Sequence, residues 1–412
     1  MAGRLASLLV PLAALAPSSL AREPRFLVLG PHVDPWDVSA DGSVVVGDVD
    51  VGTFGSNGFR WTEEEGIVLL DPPADSENIV TIVHGVSADG AVVVGVHNDG
   101  RGPQAFRWTF ETGMVLLGDL PGGPVLAHAY AASHDGSVVV GFGTSEHSEL
   151  YEAFRWTSQT GMVGLGDLPG LSFSSWAQDI TPDGSVIVGE SIGERGVEAF
   201  RWTSERGMRG IGHFPGGSWT SGCAVSVDGR TLVGAGVSSN GWEAFRWAEE
   251  EGIVGLGDLP GANFQSFAWD VSGDGRVVIG LGYPEGPPHN AFIWDPERGM
   301  RSLADALTYE YGLDISEWWV IAATAISADG RTIVGGAVHR SIPDDTSHGF
   351  VAFLGDPPCP ADLNDDRTID ERDLMVLLGS FGLDARGDTD NDADTDLTDL
   401  AVLLSVYGTP CP

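Results

Sequence analysis

Two acidic segments near the C-terminus have the residue spacing of a loop that surrounds a single hard cation. Each runs over twelve residues, with a carboxylate or amide at positions 1, 3, 5, 9 and 12 and a backbone carbonyl at position 7. Oxygen ligands in this order suit Ca²⁺. The sequence therefore predicts two calcium ions here. The predicted ligands are Asp362, Asn364, Asp366, Thr368 (carbonyl), Asp370 (through water) and Asp373 in the first loop, and Asp388, Asp390, Asp392, Asp394 (carbonyl), Asp396 and Asp399 in the second.

A short apolar helix is predicted directly after each loop, and the two loop–helix units lie 26 residues apart. Residues 356–412 hold 14 Asp or Glu and 3 Arg, a net charge of −11. So small a core rarely keeps about 50 residues folded by itself, so we expect metal binding to supply folding free energy. The predicted core residues are Leu374, Met375, Leu377, Leu378 and Phe381 of the first helix, and Leu400, Val402, Leu403, Leu404 and Tyr407 of the second.

This duplicated unit resembles a type I dockerin, which consists of two half EF-hands with one helix after each loop. The resemblance covers about 50 residues and implies a protein partner of the cohesin type. Position 6, usually glycine, is Arg367 in one loop and Ala393 in the other, which we expect to weaken calcium affinity. The resemblance implies partner recognition at positions 10 and 11, which are Glu371 and Arg372, and Leu397 and Thr398.

Three cysteines are present, an odd number. Cys359 and Cys411 each stand beside proline and bracket the acidic module, so we expect a disulfide between them. Cys223 lies inside a repeat, and we expect it to be a small buried apolar residue.

The formal charge of −38 and the absence of lysine indicate which partners the chain avoids. Such a field repels phosphate backbones and anionic lipid surfaces, so nucleic acid is excluded as a partner.

Residues 1–21 have the charged start, short apolar stretch and small-residue cleavage site of a secretory signal peptide. No later segment is apolar enough to span a membrane. We expect a monomer that is secreted, periplasmic or attached to the cell surface.

Internal repeats dominate residues 26–354. Every copy has a Ser/Thr-x-Asp-Gly turn followed by a β-branched run. An aromatic strand comes next, Phe-Arg-Trp in the first five copies, Phe-Ile-Trp in the sixth and Phe-Val-Ala in the seventh, and the first six copies end in a Gly-Met-Val-type strand. Four short strands separated by turn signals are typical of a propeller blade. The turn aspartates are Asp41, Asp89, Asp135, Asp183, Asp228, Asp274 and Asp329.

The ends of the repeat region determine its topology. The seventh copy lacks its fourth strand, and Phe26–Gly30 has the sequence of an isolated fourth strand. Pairing the two would complete the last blade and remove two sheet edges. The sequence therefore predicts an all-β, seven-bladed β-propeller closed by its N-terminal strand.

The three recurring motifs resemble the HAF-type extracellular repeat, which implies an exported bacterial protein and no particular activity. The predicted organisation is a signal peptide (1–21), a propeller (22–354), a linker (355–361) and a small α-helical, dockerin-like calcium module (362–412).

No nucleophile elbow, nucleotide-binding loop or metalloprotease motif is present. We therefore predict a non-catalytic binding or scaffold protein that docks through its calcium module. The alternative is a carbohydrate-active propeller, a lectin or glycoside hydrolase that carries the module, with a glycan as ligand. A small-ligand site would lie beside the channel, in the variable column Trp36, His84, Tyr130, Gln178, Cys223, Trp269 and Thr324.

The recurrent arginine of the Phe-Arg-Trp strand has a structural interpretation. We expect it to pair with a neighbouring carboxylate, such as Asp119, Asp167 or Asp258 of the Gly-Asp-Leu-Pro turns.

Overall fold

The computed structural model describes residues 23–412 except 51–55, 71–79, 149, 171, 262–263, 285–290, 342–345, 356–360, 365–367, 383–386, 388, 390–394 and 409–412. The described residues fall into two compact units, one from Pro24 to Leu354 and one from Gly355 onwards. None of the described helices is long and apolar enough to cross a membrane.

The first unit consists of seven four-stranded antiparallel sheets, the blades of a β-propeller. The strands are β1 Arg25–Pro31; β2 Val33–Val38, β3 Val44–Asp50, β4 Ser56–Thr62, β5 Gly66–Leu69; β6 Val80–Val86, β7 Val93–Asn98, β8 Pro103–Thr109, β9 Gly113–Leu116; β10 Gly122–Ala132, β11 Val138–Ser145, β12 Glu152–Thr157, β13 Gly161–Gly164; β14 Ser175–Ile180, β15 Val186–Gly193, β16 Gly196–Thr203, β17 Gly207–Gly210; β18 Thr220–Val225, β19 Thr231–Val237, β20 Trp242–Ala248, β21 Gly252–Gly255; β22 Ser266–Val271, β23 Val278–Gly282, β24 Ala291–Asp295, β25 Gly299–Ser302; β26 Trp318–Ile326, β27 Thr332–His339 and β28 Ser347–Phe353. Six blades use four consecutive strands, from β2–β5 to β22–β25. The seven-bladed fold predicted from the repeats is confirmed.

The Ser/Thr-x-Asp-Gly segment forms the turn between the first and second strands of each blade. In the first blade, Asp41 Oδ1 accepts the Ser43 amide at 2.9 Å and the Ser39 hydroxyl at 2.7 Å. The Ser39 Oγ in turn accepts the Val44 amide at 3.0 Å. The turn glycine has positive φ in every copy, a conformation that glycine adopts without steric cost: Gly42, Gly90, Gly136, Gly184, Gly229, Gly275 and Gly330.

The innermost strands form a closed ring around a central channel. Each contacts the next in the order β2, β6, β10, β14, β18, β22 and β26, and β26 contacts β2. The turns at one end of the channel are also linked: the Ala328 amide donates to the Ala40 carbonyl, and the Ala40 amide to the Ala88 carbonyl, both at 3.0 Å. Equivalent bonds join Asp89 to His134, His134 to Pro182, Val227 to Gly273 and Gly273 to Ala328. Pro182 has no amide hydrogen, so it accepts such a bond and donates none.

The ring is closed by β1, which pairs antiparallel with β28 at the outer edge of the seventh blade. The Phe26 ring stacks on Phe350 with centroids 5.0 Å apart. Leu27 and Leu29 pack against an apolar cluster shared by the first and seventh blades. The predicted N-terminal closing strand is confirmed, and it covers an edge of β28 that would otherwise be free to pair with another chain.

The blades adhere through apolar side chains of their middle strands. In the first blade, Phe59 packs with Val45 and against Val334 and Val351 of the seventh. The phenylalanine at this position is fully buried in all seven blades: Phe59, Phe106, Phe154, Phe200, Phe245, Phe292 and Phe350.

Three short helical segments complete the described structure. A helix, α1 (Leu303–Asp305), continues into a π-helical turn (Ala306–Glu310) between the sixth and seventh blades. This extra stretch packs Leu303 and Leu307 into an apolar cluster shared by the sixth and seventh blades. The second unit contains α2 (Glu371–Ser380) and α3 (Leu397–Ser405).

Candidate metal site and central channel

The first predicted calcium loop leads directly into α2, and its last candidate ligand is a buried carboxylate. Asp373, at position 12, is fully buried in the first turn of the helix. Its Oδ1 accepts the amides of Leu363 at 2.8 Å and Asn364 at 3.2 Å, and its Oδ2 accepts that of Asp370 at 2.8 Å. Asp370 caps the helix by accepting the Arg372 amide at 2.7 Å. The loop backbone therefore fixes the position-12 carboxylate at the start of the helix.

The second loop repeats this arrangement at the start of α3. Asp399 is fully buried, and its Oδ1 accepts the Thr389 amide at 2.6 Å. Its Oδ2 accepts the Asp396 amide at 2.7 Å. Asp396 caps the helix by accepting the Thr398 amide at 2.7 Å. The two halves of the module thus share one local structure.

Reciprocal hydrogen bonds tie the two halves together. The Gly408 amide donates to the Ile369 carbonyl at 2.7 Å, and the Gly382 amide donates to the Thr395 carbonyl at 2.8 Å. The two donors are 26 residues apart in the sequence, and so are the two acceptors, so the module has pseudo-twofold symmetry. Its fully or almost fully buried apolar residues are Ala361, Ile369, Leu377 and Leu403.

The candidate calcium ligands of this module lie partly within the described residues. Among the described residues, no cluster of three or more His, Cys, Asp or Glu has metal-site geometry. Every candidate ligand is an oxygen, the donor atom that calcium prefers, and a buried carboxylate stands at position 12 of each half. Seven candidates are described: Asp362, Asn364, Thr368, Asp370, Asp373, Asp396 and Asp399. Asp366, Asp388, Asp390, Asp392 and Asp394 lie outside the described residues, as do Cys359 and Cys411 of the predicted disulfide.

The predicted helix core is wrong for several apolar side chains. Met375, Leu378 and Leu404 are 69%, 56% and 54% exposed. The reason is geometric: each helix contacts the rest of the module through one narrow stripe at i, i+3 spacing, which leaves its other apolar residues on the outside. We call the outward-facing set the apolar helix surface; it comprises Met375, Leu378, Phe381, Leu397, Leu404 and Tyr407.

Of the four predicted partner-recognition residues, Leu397 belongs to this surface. Glu371 and Arg372 occupy the first turn of α2, and Leu397 and Thr398 occupy the first turn of α3; all four are exposed. The start of α2 therefore presents two charged side chains, whereas the start of α3 presents an apolar side chain and a hydroxyl.

In the propeller, the innermost strand of every blade carries a β-bulge. A bulge leaves one residue out of the pairing and redirects its side chain. The bulged residues are those of the variable column placed beside the channel from the sequence: Trp36, His84, Tyr130, Gln178, Cys223, Trp269 and Thr324. The column is confirmed on the innermost strands, but the bulges were not predicted.

Aspartate follows the bulge in the first, fourth and sixth blades. Asp179 accepts the amide of Ile180 in its own blade at 2.7 Å and that of Val225 in the next blade at 2.8 Å. Asp37 and Asp270 bond the corresponding amides of their own and the following blades in the same way. The three carboxylates thereby link six of the seven blades in pairs.

Burial raises the pKa of these three carboxyl groups. It raises the pKa of Asp37 to about 7 and that of Asp179 to about 6, although two amide hydrogen bonds to each oppose the change. Burial also raises the pKa of Asp270 well above its ordinary value, and repulsion by Asp37 and Asp179 adds to the effect. All three carboxyls thus bind protons more tightly than exposed aspartates.

One wall of the channel combines polar and aromatic side chains. The Gln178 amide donates to Ser221 Oγ at 3.4 Å. Burial raises the pKa of Glu190 and raises that of Cys223 to about 12. His84 stacks on Tyr130 with centroids 4.4 Å apart. A thiol with so high a pKa is a poor nucleophile, so this wall offers hydrogen bonding and stacking rather than an activated nucleophile.

Two of the Phe-Arg-Trp arginines pair with a neighbouring carboxylate as expected, Arg60 with Glu65 and Arg246 with Glu251, but the partners are not the aspartates of the Gly-Asp-Leu-Pro turns. The expected carboxylate Asp119 instead accepts backbone amides of its own segment, from Leu120 at 2.9 Å and Leu126 at 3.3 Å. The arginines support the turn of the following blade. Their Nε groups donate to its glycine carbonyl in three pairs: Arg107–Gly136 at 3.1 Å, Arg201–Gly229 at 3.1 Å and Arg246–Gly275 at 3.3 Å.

No protein-family model and no curated protein matches this chain. Among solved structures, an oligogalacturonate lyase in complex with manganese is 15% identical, with a TM-score of 0.52, over 80% of this chain and 93% of that one. TolB from Acinetobacter baumannii is 13% identical, with a TM-score of 0.44, over 64% of this chain, and this chain spans 63% of that TolB. The lyase match agrees with the propeller fold and, at this identity, bears on the fold alone.

Proposed function

We propose that this is an exported, non-catalytic binding protein whose propeller is attached to a protein partner through a calcium-dependent C-terminal module. The observation that carries the proposal is the duplicated loop–helix unit, in which Asp373 and Asp399 each join an acidic loop to a helix. The proposal that the protein is exported rests on residues 1–21, which lie outside the described residues.

Calcium acts in this proposal by neutralising and fixing the two loops. Residues 356–412 carry a net charge of −11, and two calcium ions would offset four of those charges. Without them, mutual repulsion of the loop carboxylates opposes a compact arrangement. Because each position-12 aspartate is also part of a helix, ordering a loop orders the helix that follows it.

The apolar helix surface is the proposed docking surface. Leu378 and Leu404 are 26 residues apart, as are Phe381 and Tyr407, so the symmetry repeats four of the six exposed apolar residues as two equivalent pairs. Large exposed apolar patches mark interaction sites, and we propose that these side chains form such a patch. A partner with a complementary apolar groove would bury them, and the differing first turns of α2 and α3 would decide which helix it prefers.

The test uses the full chain as bait for a protein from the native secretome, with calcium or with chelator. Leu378→Asp combined with Leu404→Asp places charges on the apolar helix surface. The matched control is Leu150→Asp, because Leu150 is 53% exposed on the propeller. We expect one protein to be retained only with calcium, by the wild type and the control, and to be lost with the double variant. Retention that is indifferent to both chelator and the double variant would contradict the proposal.

Glycan binding is a second candidate, favoured by aromatic rings shared by the fifth and sixth blades. Trp219 contacts Trp242 at 4.5 Å between centroids, Trp242 contacts Phe267 at 5.7 Å, and Phe267 contacts Tyr283 at 6.1 Å. Rings that combine an apolar face with a polar edge suit sugar ligands. A glycan array compared between wild type and Trp242→Ala tests this candidate: a signal lost in the variant supports it, and an empty array opposes it.

A further inference from the structure

The fourth blade breaks a charge pattern that the first, second, third and fifth blades share. In the first, second, third and fifth blades, the Phe-Arg-Trp arginine stands opposite valine of the outermost strand: Arg60–Val68, Arg107–Val115, Arg155–Val163 and Arg246–Val254. In the fourth blade, Arg201 stands opposite Arg209. Like charges directly opposite each other destabilise a sheet, so this pair calls for a compensating interaction.

A second substitution in the same blade adds to the positive charge. In the first and fifth blades, the arginine is neutralised by a glutamate five residues later, Arg60 by Glu65 at 3.1 Å and Arg246 by Glu251 at 3.0 Å. The equivalent position of the fourth blade is Arg206. The repeat that lacks the opposing valine therefore also lacks the neutralising glutamate.

These three arginines line one cavity of about 390 Å³ together with Thr203 and Trp247; we call it the arginine pocket. Arg201 donates its Nε–H to the Gly229 carbonyl at 3.1 Å, and its side chain also lines the pocket. The acidic residue of the lining is Glu249, which pairs with Arg206 at 3.1 Å. Both side chains of that pair are mostly exposed, at 62% and 70%, so the ion pair is a weak surface contact.

The strongly negative net charge of the chain does not prevent an anion from binding in this pocket. At physiological ionic strength the Debye length is about 8 Å, so carboxylates elsewhere on the propeller are largely screened. An anion in the pocket would interact mainly with guanidinium groups at contact distance. Short-range attraction therefore outweighs the repulsion of the remote charges.

We propose that the arginine pocket binds a doubly charged tetrahedral oxyanion, sulfate or phosphate, either free or as the ester of a larger ligand. Arginine presents its N–H donors in a planar fork that matches such oxygens. The three guanidinium groups carry three positive charges, and Glu249 offsets only one of them. A doubly charged anion would balance the remaining two. The Thr203 hydroxyl supplies a further donor, and the Trp247 indole provides an apolar wall for the group that an ester would carry.

Isothermal titration calorimetry of the full chain with sodium sulfate tests this proposal, with sodium chloride keeping the ionic strength constant. Arg209→Val recreates the Arg–Val pair found in the first, second, third and fifth blades, and Arg206→Glu recreates the Arg–Glu pair of the first and fifth. The control is Arg107→Gln, because Arg107 makes the same carbonyl contact as Arg201 in a blade without the pocket. We expect one sulfate per chain, affinity about tenfold lower or worse in both test variants, and unchanged affinity in the control.

The melting temperature, measured with and without sulfate, distinguishes a sulfate-binding role of Arg209 from a purely structural role. Without sulfate, Arg209→Val should melt at or above the wild type, because it removes the like-charge pair. With sulfate, the wild type should gain more than the variant. Equal sulfate affinity in wild type and Arg209→Val, or no saturable binding to the wild type, would overturn the proposal. If sulfate binds, comparison with a sulfated monosaccharide identifies the source: tighter binding indicates an ester ligand, and equal binding indicates the free anion.

Discussion

Removal of the closing strand is the perturbation whose cost follows most directly from the structure. Deleting residues 22–30 removes most of β1, which pairs with β28 over six residue pairs. A hydrogen bond contributes about 1 kcal/mol net, and Phe26, Leu27 and Leu29 each contribute about 1.5 kcal/mol by burial. The total, about 10 kcal/mol, is of the same order as the whole stability of a folded domain. We therefore expect the deletion variant to lose its cooperative unfolding transition or to aggregate through the free edge of β28.

Size-exclusion chromatography with light scattering detects aggregation, and thermal unfolding measures the loss of stability. A point variant in the same strand should give a smaller loss that can be measured. Leu27→Ala should cost about 2 kcal/mol, because this side chain packs in the cluster shared by two blades. Leu150→Ala is the matched control, since Leu150 is 53% exposed and should change stability by less than about 0.5 kcal/mol. A deletion variant that stays monomeric with an unchanged melting temperature would refute the assignment of β1 as the closing strand.

Two further predictions concern protonation and the C-terminal module. Burial raises the pKa of Asp37 to about 7 and of Asp179 to about 6, so the folded chain binds these protons more tightly than the unfolded chain. The melting temperature should therefore rise as the pH falls from about 8 to 5, and rise less in Asp179→Asn; an equal rise in both would contradict this. A Cys359–Cys411 bridge would contribute roughly 3 to 4 kcal/mol in the chain-entropy model. Peptide mapping under non-reducing conditions should recover that bridge and a free Cys223, and any bridge to Cys223 would argue against it.

The architecture of the propeller could be predicted because its signals are local and repeated. The Asp41–Gly42 step and its six equivalents specify a turn through backbone preference alone. The incomplete seventh repeat and the strand at Phe26–Gly30 complement each other in sequence, so ring closure follows from counting strands.

The channel and the arginine partners depend on contacts between blades, which one strand's sequence does not show. Asp37 bonds an amide of the second blade, and Arg107 bonds the Gly136 carbonyl of the third. A usable signal did exist for the carboxylates: aspartate recurs directly after the variable column in three of seven repeats, while the other repeats have glycine or alanine there.

The helix core was overestimated for a different reason. An apolar residue such as Leu378 has the composition of a core residue, but whether it is covered depends on the width of the contact between two short helices. The sequence of the fourth blade likewise shows Arg206 and Arg209, yet only the strand register places Arg209 opposite Arg201.

The most direct test of the account is the number of calcium ions that the full chain binds. Isothermal titration calorimetry should give two ions per chain, with affinity at the weak, extracellular end of the calcium-binding range. Asp373→Asn should leave one ion, because it removes position 12 of the first loop, whereas Glu371→Gln should leave two, because it removes a neighbouring charge that is not a ligand. No calcium bound to the wild type, or the same number bound to Asp373→Asn, would contradict the account.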